Sequence, residues 1–189
     1  LLLVSALSPQ FGIVRGTSNH VDSHAEHIVL PPQIPGSYRE VDEFSRKIFA
    51  MNACGFTEDD LLSGDAILLK RAVVDRIGCL DLRFFGFFGD VDYGMRAHLA
   101  GFKLICAKGA WLYHEGSGHV KRQIEKMSGA TWDEQHGRRM VLVEAAYREF
   151  RAKWHVDKPE RYDYEARLDY FGHARANASR VELKYDFPA

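Results

Sequence analysis

The stretch LSGDAILLKRAVVDRIGCLDLRFFGFFGDVDYGMRAHLAGFKLICAKGAWLYHEGSG, residues 62–118, decides the fold. Residues 66–69 are a short apolar run of strand length, and 72–77 form one or two helical turns stopped by Gly78. Residues 81–89 are aromatic and punctuated by glycine, which predicts a loop. Asp90 then stands as a helix cap, with the helix running to Ala100 and Gly101 as its stop. Residues 102–106 and 110–113 predict two further strands. Strands interleaved with helices make an α/β chain with a mixed sheet flanked by helices.

Outward from this stretch the signals weaken. Residues 1–7 predict a buried strand that begins abruptly, and 9–37, rich in Gly, Pro, Asn, Ser and His, predict a long loop. Ser37 with Glu40 three residues on is a capping-box pattern. Val41, Phe44, Ile48 and Met51 then recur at helical spacing, with Gly55 closing the helix. Beyond the central stretch, 116–129 predict a polar loop, and 132–154 a long helix interrupted near Gly137. A last segment rich in Tyr and Arg is helical as far as Ala178. Two units result: 1–156, and a helical extension over 157–189.

The 189 residues carry 25 Lys+Arg against 26 Asp+Glu, a net charge of -1. Phosphate neutralisation along a nucleic acid calls for a more basic chain, so no nucleic-acid partner is expected. Cys54, Cys79 and Cys106 stand far apart and form no CxxC pair, which excludes a zinc ribbon and a disulfide framework and fits a reducing, cytoplasmic setting. The longest apolar run, at the start, is too short to span a bilayer and lacks a basic flank, so no transmembrane segment is expected. The chain opens on Leu rather than Met, and its start reads as a cut.

An ordered series of motifs runs through the central stretch. The strand ends in Lys70-Arg71. Ile77-Gly78-Cys79-Leu80-Asp81-Leu82-Arg83-Phe84 follows, then Gly89-Asp90, then Asp92 with Arg96, then Ala100-Gly101-Phe102-Lys103-Leu104, and a strand ends in Trp111-Leu112-Tyr113-His114. This series resembles the second, acceptor-side half of family 2 glycosyltransferases of the GT-A type, of the kind that builds surface polysaccharides. The resemblance implies a partial GT-A fold, with the N-terminal nucleotide-binding half and its DxD-type metal motif outside these residues. It implies transfer of a sugar, with inversion, from a nucleotide-diphosphate sugar donor to a carbohydrate or lipid-linked acceptor. A divalent metal, Mn²⁺ or Mg²⁺, would serve the complete enzyme. A cytoplasmic location, peripheral at the inner face of a membrane, and a homo-oligomer are both compatible with it.

The resemblance assigns the catalytic base to Asp90, which would take the proton of the acceptor hydroxyl. A carboxylate at a helix N-terminus suits a base that must be ionised at neutral pH. Gly89 stands where the family has a second acid, and Asp90 alone would otherwise be read as a helix cap. Asp65 and Gly64, just before the first strand, are acceptor-side candidates, with glycine allowing a sugar close to the backbone. Asp92 is a second acceptor-binding candidate, although its spacing from Arg96 equally predicts a pair along one helix face. Asp90 and Asp92, two apart, need not act together, which tells against a glycosidase built on paired acids. His114 is implied as a late metal ligand, and Lys121 and Arg122 as phosphate-binding groups in the following loop.

Two other readings remain open. One is a non-catalytic carbohydrate-binding or regulatory module derived from the same half. The other is a metal-dependent hydrolase using His20, His24 and His27 with Asp22 and Glu26. His20 and His24 have the i, i+4 spacing of helical zinc ligands, but no HExxH order is present and Pro31-Pro32 follow, so a surface histidine-rich loop is favoured.

Overall fold

The computed structural model describes residues 1–20, 25–84, 86–115, 132–157, 162–163 and 167–186. It is a mixed α/β structure built on a four-stranded sheet flanked by helices. The strands are β1 (Phe11–Ser18), β2 (Phe56–Asp59), β3 (Ile67–Leu69) and β4 (Lys103–Leu112), in the order β2-β4-β1-β3. β1 and β4 run parallel at the centre, and β3 and β2 flank them antiparallel.

Period-2 alternation sends neighbouring residues to opposite faces. On one face Phe11, Val14, Ile105 and Ala107 pack with Val4. Val4 belongs to α1 (Leu2–Ser5), and α2 (Tyr38–Asn52) covers β4 on the same side. On the other face Ile13 and Leu104 meet Val73 and Ile77 of α3 (Arg71–Ile77) and Tyr93 and Ala97 of α4 (Gly89–Leu99). A further core lies outside α4. There α5 (Trp132–Trp154) and α6 (Arg167–Ala176) bring Tyr147, Phe150, Trp154, Tyr170 and Phe171 against Phe84, Phe88 and Met95.

With cores on both sides, α4 is buried from Asp92 to Ala97. Its polar side chains are therefore paired. Asp92 accepts from Arg96 Nε at 2.8 Å and from Trp154 Nε1 at 3.0 Å, and Lys153 completes the cluster. Arg96 also donates to the carbonyls of Ile77, Cys79 and Leu183. Lys153 reaches on to Asp81, which Arg83 grips through backbone and guanidinium. Burial works against an ionised Asp81, but the hydrogen bonds from Arg83 and Lys153 outweigh it and hold its carboxyl well below the usual range. The C-terminal segment closes on this knot, Tyr185 exchanging backbone hydrogen bonds with Ile77 and Cys79. Gly78, at φ 70, lets it approach: a Cβ there would stand 1.8 Å from the Tyr185 carbonyl oxygen.

Several local expectations are corrected. Residues 1–7 hold a short helix, not a strand, with Leu2, Leu3 and Leu7 exposed. The expected loop over 9–37 contains β1, one of the two central strands, buried at all eight positions. Its glycines are contact points rather than turn residues: a Cβ at Gly12 would stand 2.7 Å from Phe102 and Val73. The two strands expected over 102–113 are one, β4, whose register against β1 jumps between Gly16–Ala107 and Thr17–Trp111. The residues so displaced turn toward α2, where Lys108 N bonds the Gly55 carbonyl. β2 has no counterpart among the expected elements, and α5 runs through Gly137 without a break. The Ser37 cap is as expected, its hydroxyl accepting from Glu40 N.

Candidate functional site

The carboxyl ends of β1 and β4 point the same way, and α4 runs antiparallel into β4, so the start of α4 lies toward that end. β3 runs opposite to β1, pairing Ile67 with Arg15, so Gly64 and Asp65 precede it on the same side. Ligand sites in open α/β sheets collect at this edge.

Asp90 is the second residue of α4 rather than its cap. The cap position is Phe88, held left-handed at φ 64 by packing against Tyr147, Phe150 and Tyr162. A bulky residue there costs about 1–2 kcal/mol, which the aromatic cluster offsets. The turn delivers Asp90, partly exposed, against Gly64. Gly64 N donates to Asp90 Oδ2 at 2.8 Å, and Val91 N donates to Oδ1 at 2.9 Å. Gly64 has no room for a side chain, since a Cβ would lie 2.9 Å from Asp90 Cβ and 3.0 Å from Oδ2. Burial pushes the Asp90 carboxyl above its ordinary value against these hydrogen bonds, and the exposed Asp65 adds to the shift by its charge.

At the tips of the two parallel strands, Asn19 clasps His114. Its amide donates to the His114 carbonyl at 2.9 Å and accepts from His114 N at 2.6 Å. His114 Nδ1 lies 3.2 Å from the His20 carbonyl, and the two imidazoles meet edge to face at 5.4 Å. When Nδ1 donates there, Nε2 is left as a potential ligand atom. Among the described residues, however, no set of three metal donors gathers around His114. These residues do not by themselves fit the divalent metal that the resemblance implies, and no chemical step is drawn through it.

The structure thus brings Gly64, Asp65 and Asp90 together and sets His114 at the same sheet edge. It separates Asp92 from them: the side chain is wholly buried and its oxygens are taken by Arg96, Lys153 and Trp154, so it is not an acceptor ligand here. Lys121 and Arg122 lie outside the described residues, as do Asp22 and His24. Of the described histidines of the trio, His20 faces His114, whereas His27 is not on the surface as favoured but turns inward to Thr57 and Asp59. Sequence reasoning missed Asn19. Its signal, a polar residue at the end of a buried strand, is invisible until β1 is recognised. A cleft of about 350 Å³ between α1, α2 and β4 lies on the opposite face and touches none of these groups. No described helix is long and apolar enough to cross a membrane. No family model, no curated protein and no solved structure matches the chain.

Proposed function

We propose that this chain is the acceptor-side half of an inverting glycosyltransferase of partial GT-A fold, with Asp90 as its catalytic base. The observation that carries the reading is the Asp90 carboxylate, partly exposed at the carboxyl edge of the parallel strands and locked onto the Gly64 backbone. A base must be fixed in direction and open to its substrate, and this one is both. Burial raises its proton affinity above that of an ordinary aspartate, the direction that strengthens a general base. Asp65, exposed next to Gly64, would take a hydrogen bond from another acceptor hydroxyl.

In the proposed step the acceptor oxygen gives its proton to Asp90 and bonds the anomeric carbon. The bond from that carbon to the donor phosphate breaks, and the nucleoside diphosphate leaves with the electron pair. Asp90→Asn keeps shape and removes proton acceptance, and turnover is expected to fall about a hundred- to ten-thousand-fold. The assay is release of nucleoside diphosphate from UDP-, GDP- and dTDP-sugars in the full-length protein, with donor affinity measured alongside. The acidic limb of the pH–rate profile should disappear in the variant. Near-normal turnover in Asp90→Asn would sink the assignment and leave Asp65 as the candidate.

A further inference from the structure

Behind this edge, on the sheet face shared with α4, a second polar cluster is shut away from solvent. The β1–β4 register sets Arg15 beside Cys106, and the β4–β2 register sets Cys106 beside Thr57. Asp59 follows two residues on, on the same face. The 3₁₀ turn Ala25–His27 drops His27 onto them. Arg15, His27, Asp59 and Cys106 are each at most 3% exposed. His27 Nε2 stands 3.3 Å from Asp59 Oδ1 and 3.2 Å from Thr57 Oγ1. One ligand atom each from His27, Asp59 and Cys106 lies within 4.8 Å of the others.

We propose that His27, Asp59 and Cys106 form a buried Zn²⁺ site, with a water or the Thr57 hydroxyl as fourth donor. Zinc takes nitrogen, oxygen and sulfur ligands at about 2.0–2.3 Å in a tetrahedron, which sets its ligands roughly 3.3–3.8 Å apart, so these atoms need close by at most about 1.5 Å. A thiolate in the set selects zinc over the hard ions magnesium and manganese. As the ion enters, the Cys106 thiol proton leaves to solvent and a sulfur–zinc bond replaces the sulfur–hydrogen bond.

Arg15 is the second observation. Arg96, equally buried, makes four hydrogen bonds, whereas none of the three Arg15 nitrogens has a hydrogen-bond partner among the described residues. Its Nη1 stops 3.9 Å from Asp59 Oδ2. That is the post of an outer group that steadies the second, non-coordinating oxygen of a ligand carboxylate. The thiolate and Asp59 together supply the two negative charges that cancel the ion.

The test is zinc titration of the protein against a chromophoric chelator, with Co²⁺ as spectroscopic probe. One equivalent of zinc should bind, and the Co²⁺ form should show a thiolate-to-cobalt charge-transfer band. Cys106→Ser should abolish the band and weaken zinc at least a hundredfold, while Cys54→Ser, at an exposed thiol, should keep both. His27→Gln, in a turn outside the sheet, should weaken zinc likewise and carries the test if Cys106→Ser does not fold. Absence of stoichiometric zinc, or binding that survives these substitutions, overturns the site, the latter pointing to surface histidines. Neither result bears on Asp90.

Discussion

At Asp90 burial and hydrogen bonding pull in opposite directions, and burial is the larger. The folded carboxyl therefore keeps its proton above the ordinary value of 3.8, at which it ionises in the unfolded chain. Between those two values the folded state binds more protons, so stability falls as pH rises through the window and the penalty is complete above it. Asp90→Asn has no such titration. Urea unfolding at stepped pH should show the stability difference moving toward the variant as pH climbs from about 4. A difference that stays constant would contradict the assigned direction. Gly64→Ala tests the same contact from the other side. The added methyl has nowhere to go but the Asp90 side chain, and displacing a reacting group by about 1 Å can cost a hundredfold in turnover. Activity should fall by about that much with circular dichroism unchanged; full activity would mean that the carboxylate is not held in place by Gly64. Asp90 and Gly64 were legible because they sit in one local stretch. The Asp92–Arg96 pair was legible from its spacing of four, but the burial of Asp92 was not, because Lys153 and Trp154, which bury it, arrive more than sixty residues later.

Among the elements, α5 is fastened to α4 by charge as well as by aromatic packing. Lys153 stands between Asp81 and Asp92 in the interior. Lys153→Met keeps the length of the stem but leaves two carboxylates short of a cation, and removing one partner of a buried set costs about 3–5 kcal/mol. Chemical denaturation should show that loss; a change under about 1 kcal/mol would mean that the packing alone holds α5. Asp81 sets the pH dependence of the same junction. Its carboxyl is depressed in the folded state, so its contribution is present above the ordinary carboxylate range and lost as pH falls toward the depressed value. Asp81→Asn should therefore flatten the acid limb of the melting-temperature profile. The helices of the central stretch and α5 were readable from periodicity, whereas the cap of α4, the unity of β4 and the continuity of α5 through Gly137 were not. β1 was not, because Gly12, Gly16, Thr17 and Ser18 carry loop composition while serving close strand packing. The cluster of Arg15, His27, Asp59 and Cys106 was hidden for the same reason, since it assembles only once β1, β2 and β4 are aligned.

At the scale of the whole molecule, these residues are proposed as the acceptor side, and the donor's nucleotide diphosphate is assigned to another part of the enzyme. Calorimetry of these 189 residues with UDP-, GDP- or dTDP-sugars and Mn²⁺ should show no saturable binding at micromolar concentration; clear binding would overturn the assignment of the donor site to another part of the enzyme. The pairing of β1 with β4 has a consequence of another kind. β1 meets β3 early, through Ile13 and Leu69, but its other edge waits for β4, about ninety residues further along the chain. During synthesis β1 is the first of these four strands to emerge, and its second edge is covered only when β4, the last of them, follows. For that interval Ile13 and Val14, both fully buried at the end, have one open hydrogen-bonding edge beside them. The birth of this protein, more than its finished state, is where a chaperone or a neighbouring nascent chain would find something to hold.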